Sequence, residues 1–145
     1  MQSTTTQLPE ALDRILKRFQ RLSDPKQRYE QLILYGQKLP KFADSDRTPE
    51  NKVSGCVSQV FITAQLNEQN QVIFAGDSDG LISKGFAGLL INGLNHASPE
   101  EILNLSPEFI KETGLMVSLT PSRANGFFSV FKNMQAKVRE LTIAK

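Results

Sequence analysis

The chain has 145 residues, 39% of them apolar and 22% charged, with 17 Lys and Arg against 15 Asp and Glu. That length suits a single domain spanning residues 1–145, and the composition excludes disordered, collagen-like and disulfide-scaffold classes. A formal charge of +2 does not suggest a nucleic-acid or membrane-surface protein, which concentrates positive charge.

Residues 1–7 are polar and expected to be flexible. Leu8, Leu12, Ile15, Phe19 and Leu22 then recur at helical spacing, with Arg14, Lys17, Arg18 and Arg21 on another, solvated face. Asp24 reads as the N-cap of a second helix, with Pro25 at its first position and Gln27 closing a capping box. That helix should bury Tyr29, Leu32 and Ile33 and end before Pro40. Lys41 to Asn51 is polar, aperiodic and interrupted by Pro49, the pattern of an exposed loop.

Val57 to Leu66 is rich in β-branched and aromatic residues and reads as a strand covered on both faces. After a turn at Asn67–Asn70, Val72–Ala75 returns as its hairpin partner, and a third strand is allowed around Lys52–Gly55. Leu81–Asn95 is apolar and contains Gly85, Gly88 and Gly93, which points to a central helix packed backbone-close against a neighbour. Ser98-Pro99-Glu100-Glu101 spells a capping box, and Ser106-Pro107 opens a short helix ending at Gly114. Thr120-Pro121 starts a last helix with Phe127, Phe131, Met134, Val138 and Leu141 on one stripe. The fold class is therefore α+β, a small antiparallel sheet flanked by helices.

The chemistry available is narrow. A lone cysteine and a lone histidine exclude an internal disulfide and any Cys-based zinc or iron–sulfur site held by this chain alone. Met1–Glu10 lacks the basic-then-apolar order of a secretory signal, and Phe86–Leu94 is too short to span a bilayer. The expected setting is a reducing cytoplasm.

Cys56 is the obvious reactive candidate, at a loop-to-strand junction behind the permissive Gly55. An inert, buried cysteine fits the same position. Asp77 and Asp79 precede the central helix, and two carboxylates with one histidine do not complete a calcium loop. Capping that helix is the simpler expectation for either carboxylate. Arg123 would stabilise a thiolate if it lay near Cys56 and would be solvated if it did not. His96 follows the central helix, where a cation is favourable.

Three blocks together resemble the SufE family, CsdE-like relatives included. They are Arg28-Tyr29-Glu30 with Leu34-Tyr35-Gly36-Gln37-Lys38-Leu39-Pro40, then Val53-Ser54-Gly55-Cys56-Val57-Ser58-Gln59-Val60, and Gly76-Asp77-Ser78-Asp79-Gly80 leading to Lys84-Gly85. Leu119-Thr120-Pro121-Ser122-Arg123 and Gly126 continue the same order. The resemblance implies a SufE/IscU-like fold and a sulfur acceptor for a cysteine desulfurase of the SufS or CsdA kind, serving iron–sulfur cluster assembly. It maps the persulfide-accepting cysteine onto Cys56, with Gly55, Ser58, Asp79 and Arg123 in supporting or partner-docking roles. Phe61 stands where many relatives carry Trp.

The implied protein stimulates its desulfurase without turnover of its own. It needs no metal or cofactor, because pyridoxal phosphate belongs to the partner. Sulfur would pass to a downstream cluster scaffold. A mobile segment from Asp46 to Val57, pivoting at Gly55, would release the cysteine. Neither nucleic acid nor membrane is an expected partner, a homodimer is left open, and a redox-active thiol or a non-catalytic desulfurase-activating adaptor are the alternatives.

Overall fold

The computed structural model describes residues 8–56 and 58–143. The expected flexibility of residues 1–7 and the expected strand start at Val57 lie outside the described residues. Helices α1 (Glu10–Arg21) and α2 (Pro25–Gln37) come first, followed by two single-turn 3-10 segments, Asp44–Asp46 and Pro49–Asn51. The hairpin β1 (Val60–Leu66) and β2 (Val72–Ser78) leads into α3 (Leu81–Leu94) and the short α4 (Pro99–Leu103). Two 3-10 segments, Pro107–Thr113 and Leu115–Ser118, precede the long α5 (Pro121–Ile143). This is the α+β arrangement expected.

Helix α3 is the hub. It buries Ile82, Phe86, Leu89, Leu90, Ile91 and Leu94, and it touches α1, α2, α5 and the sheet. Its glycines explain how it does so. A Cβ on Gly88 would sit 2.2 Å from the carbonyl oxygen of Tyr35, and one on Gly85 2.7 Å from that of Leu32. On the facing helix, a Cβ on Gly36 would meet the backbone of Lys84 and Gly85 at 2.8 Å. The two helices thus touch main chain to main chain, which no larger residue permits. This contact also sets the buried face of α2. Leu32, Tyr35 and Gly36 are buried, whereas Tyr29 and Ile33, expected in the core, are only half-buried.

Strands β1 and β2 pair antiparallel, Val60 opposite Ser78 through Leu66 opposite Val72. Val60, Ile62, Val72 and Phe74 form the buried face. Helix α5 closes the other side with Phe127, Val130, Phe131, Met134 and Val138. Phe127 stacks on Phe86 of α3 with ring centroids 4.5 Å apart, and Phe131 meets Phe109 edge-on at 5.0 Å.

The caps at Ser98 and at Gly114 form as expected, the first as a complete capping box and the second in the left-handed conformation. Thr120 caps α5 by accepting from the N–H of Arg123 at 3.4 Å. The basic face of α1 is solvated, with Arg14 on Glu10 and Lys17 on Asp13. His96 is structural: it holds a left-handed turn with φ 75° and donates its N–H to Val72.

Three expectations change. Asp24 caps α2 by accepting from the N–H of Lys26 at 3.0 Å, and no box with Gln27 closes. The third strand shrinks to one bridge, Lys52 opposite Phe61, with Val53 N–H on Val60 O at 2.8 Å. A 3-10 turn at Pro49 precedes it and a left-handed Gly55 follows, so no regular ladder extends in either direction. Finally, the polar segment 41–51 contains a buried residue, Phe42, stacked on Phe61 with centroids 6.3 Å apart.

Candidate functional site

The bond from the Val53 N–H to Val60 O turns the chain back on itself between these two residues. Gly55 makes the reversal with φ 86°. A side chain there would be strained by that angle and would collide with Ser129 of α5, whose Oγ lies 2.6 Å from the would-be Cβ. Ser129 also donates to the carbonyl oxygen of Gly55 at 3.4 Å. Cys56 comes next and is half-buried in the seam between loop and helix.

The thiol of Cys56 points at α5, with Sγ 3.7 Å from the carbonyl oxygen of Gly126. Gly126 is not forced by crowding: a Cβ at that position would stand in ordinary contact, 4.0 Å from Sγ and 3.9 Å from the ring of Phe86. Cys56 packs against the buried core, which removes water from the sulfur, and this burial pushes the thiol above its ordinary pKa. At neutral pH the resting group is a protonated thiol, sheltered and poorly nucleophilic.

The far end of the loop is clasped by Asp79. Its Oδ1 accepts from the N–H of Gln59 at 2.9 Å, and its own N–H donates to Gln59 O at 3.2 Å. Neither carboxylate caps α3, contrary to expectation. The N-cap is Gly80, with no side-chain hydrogen bond. Gly80 is small because Ser58 lies against it: a Cβ on Gly80 would fall 2.1 Å from Ser58 Oγ. Asp77 instead points to the outer face of the sheet, pairing with Arg47 at 2.6 Å and Lys84 at 3.3 Å.

Those pairs hold a strap across the sheet. Arg47 also contacts Asp44 at 3.2 Å and covers the rings of Phe42 and Phe61, 5.3 and 6.0 Å from their centroids. Burial alone would raise the pKa of Asp77. Hydrogen bonds from Arg47, the Ser78 N–H and Lys84 more than offset it and hold the carboxyl below its usual range. Lys137 of α5 fixes the strap again by donating to Asn51 Oδ1 at 3.1 Å and Glu50 O at 3.3 Å.

Arg123 lies exposed in the first turn of α5, without an ion-pair partner among the described residues. It lines a cleft of about 40 Å³ with Ser58, Ser83, Ser122 and Gly126. Gly126 is therefore shared: its carbonyl faces the thiol, and its backbone borders the polar cleft. Three hydroxyls and a guanidinium offer hydrogen-bond donors suited to an anion the size of a sulfur atom.

Gly55, Cys56, Ser58, Asp79 and Arg123 thus come together at one seam, drawn from the loop, the entry to α3 and the start of α5. Residues missed in the sequence are Ser129, Gln59 and the Phe42–Arg47 strap. Ser129 follows Gly126 by three positions on one face of α5 and is polar among phenylalanines, a signal open to reading. Gln59 acts through its backbone, which leaves no mark in side-chain pattern.

The chain matches, over residues 13–138, the SufE family, described as an Fe–S metabolism associated domain. It belongs to the SufE family. An uncharacterized SufE-like protein of Synechocystis is 56% identical over 130 residues, covering 90% of this chain and 81% of that protein. A SufE-like protein 1 of Arabidopsis thaliana, chloroplastic/mitochondrial, is 43% identical over 137 residues, covering 94% of this chain. This chain spans only 37% of that relative's length. A chloroplastic quinolinate synthase of the same plant is 34% identical over 139 residues, 95% of this chain but 19% of the synthase. A solution structure of a hypothetical Thermus thermophilus protein superposes with a TM-score of 0.81 at 28% identity, covering 94% of this chain and 99% of the other. The family and the fold agree with the resemblance carried by the motif blocks, and the SufE chain is associated with Fe–S metabolism.

Proposed function

We propose that this SufE protein carries sulfur, accepting it as a persulfide on Cys56 from a cysteine desulfurase and stimulating that enzyme by removing its product. One observation carries the reading. The lone thiol rests half-buried against the core and the carbonyl of Gly126, on a loop retained by a few polar bonds.

The donor persulfide presents an outer sulfur. Cys56 gives up its proton, its thiolate attacks that sulfur, a new S–S bond forms and the donor's S–S bond breaks, releasing the donor thiolate. No oxidant or reductant is needed. Attack requires thiolate and access together, and the resting seam supplies neither. Docking would supply both by releasing Gln59 from Asp79 and Gly55 from Ser129, so that the loop swings out. Back in the seam, the terminal sulfur anion would be met by the hydroxyls of Ser58, Ser83 and Ser122 and by Arg123, sheltered from oxidants and stray thiols. The sulfur then passes to a cluster scaffold by the same displacement. A reducing compartment such as cytoplasm suits this traffic, and the chain is assigned no cofactor of its own.

The test is intact mass after incubation with a desulfurase, its pyridoxal phosphate and cysteine, without reductant. Wild-type protein should gain the mass of sulfur and Cys56→Ser should not. Equal stimulation of the desulfurase by the serine variant would refute transfer and leave a plain adaptor.

A further inference from the structure

Helix α5 carries three polar residues four apart on one face, Ser129, Asn133 and Lys137. The first donates to Gly55 O at 3.4 Å, and the last to Asn51 Oδ1 at 3.1 Å and Glu50 O at 3.3 Å. The middle one therefore lies against the same segment, between those two anchors. Yet Asn133 Oδ1 is buried, and among the described residues no donor meets it. A buried acceptor left unpaired is costly and asks for a reason.

The segment itself holds the missing donors. The N–H of Val53 is taken by Val60 O, but beyond it the N–H groups of Ser54 and Gly55 have no partner among the described residues. Both residues are exposed. Open space adjoins the segment as well. A groove of about 610 Å³, bordered by Asp46, Asn51, Lys137 and Glu140, lies beside it. Room to shift, free donors and a dry acceptor thus meet on the stretch that carries Gly55.

We propose that Asn133 positions the released state of the Cys56 loop. When Gly55 leaves Ser129 Oγ, it moves one turn along α5, about 5.4 Å, and its N–H donates to Asn133 Oδ1. One hydrogen bond is exchanged for another, and Cys56 is drawn away from Gly126. Asn133 acts through Gly55 and not on the sulfur. At rest its unpaired oxygen raises the energy of the closed loop, and release removes that penalty. The residue therefore biases the loop toward opening. What the bias is for rests on the carrier reading of Cys56; the bias itself does not.

The experiment follows iodoacetamide labelling of Cys56 in the full chain, without a desulfurase, alongside urea denaturation. Asn133→Leu fills similar space and removes the acceptor. Labelling should slow by roughly 5- to 30-fold while the urea midpoint rises. Asn133→Asp keeps an oxygen at that place and should label at least as fast as wild type. A residue that merely braced the resting loop would give the opposite signs in Asn133→Leu, faster labelling and a lower midpoint. That outcome, unchanged labelling of Asn133→Leu, or slowed labelling of Asn133→Asp would each overturn the proposal. If circular dichroism shows Asn133→Leu misfolded, Asn133→Ala takes its place with the same expected slowing. No partner enzyme takes part, so failure here leaves the mass test of sulfur transfer standing, and failure of that test leaves the labelling result standing.

Discussion

Helices α2 and α3 and the Cys56 loop are both tightly placed, but by different forces. The helix pair is locked by main-chain contact at Gly36, Gly85 and Gly88 and by the core around them. Separating it means exposing that core, an event on the scale of global unfolding. The loop is held by a bridge at Val53, the Asp79–Gln59 clasp and one serine hydroxyl. Each such bond contributes about 1 kcal/mol net, so the loop can open while the rest stays folded. The sulfur transfer proposed above needs that division, with a rigid body to dock and a small element to release.

The sharpest way to break the comparison is Gly88→Ala. Its Cβ would press on the Tyr35 carbonyl, and the overpacking should outweigh the better helix propensity of alanine, costing about 3 kcal/mol. Urea denaturation would show it as a lower midpoint, and an unchanged midpoint would mean the helices can part cheaply.

Gly55→Ala should cost less, about 1–2 kcal/mol, because the loop can move away from Ser129. Its signature should be faster alkylation of Cys56 without loss of the core. Asp79→Ala comes next. Global stability should fall by about 1 kcal/mol or less, while labelling of Cys56 by iodoacetamide rises several-fold. A variant labelled no faster than wild type would show that Asp79 does not guard the loop.

The smallest effects concern pH. The Cys56 pKa is raised in the folded state, so the folded chain holds its proton where the unfolded chain has lost it. The stability this contributes is present at neutral pH and is lost as pH rises through the folded value. Over the same range below the thiol's pKa, alkylation should climb by about tenfold per pH unit. Asp77 has the opposite sign. Its lowered pKa contributes stability above the ordinary carboxylate range, lost as pH falls through the folded value. Acid should therefore loosen the strap at Phe42 and Arg47. Asp77→Asn should flatten the acid limb of a stability profile, and an unaltered limb would show that another carboxylate governs it.

Much of this was legible in the residues. Helical stripes, the Ser98 and Thr120 caps and the hairpin follow from local spacing, and the glycines of α3 announced a close approach. The Cys56 block stood out because a lone thiol behind glycine is rare chemistry in an otherwise ordinary composition. Asp77 and Asp79 were misread because the residue type suits a cap, while their actual partners, Arg47 and Gln59, lie 30 and 20 positions away. Phe42 was hidden in a polar segment, since one aromatic carries no period.

What the sequence alone determined is the set of elements and the single cysteine, because helix stripes, caps and residue chemistry are local properties. What only the tertiary structure decided is how that cysteine is held. The Gly126 carbonyl at the sulfur, Ser129 against Gly55 and Asp79 on Gln59 are meetings of distant segments. Their energies depend on packing and burial that no single stretch of chain contains.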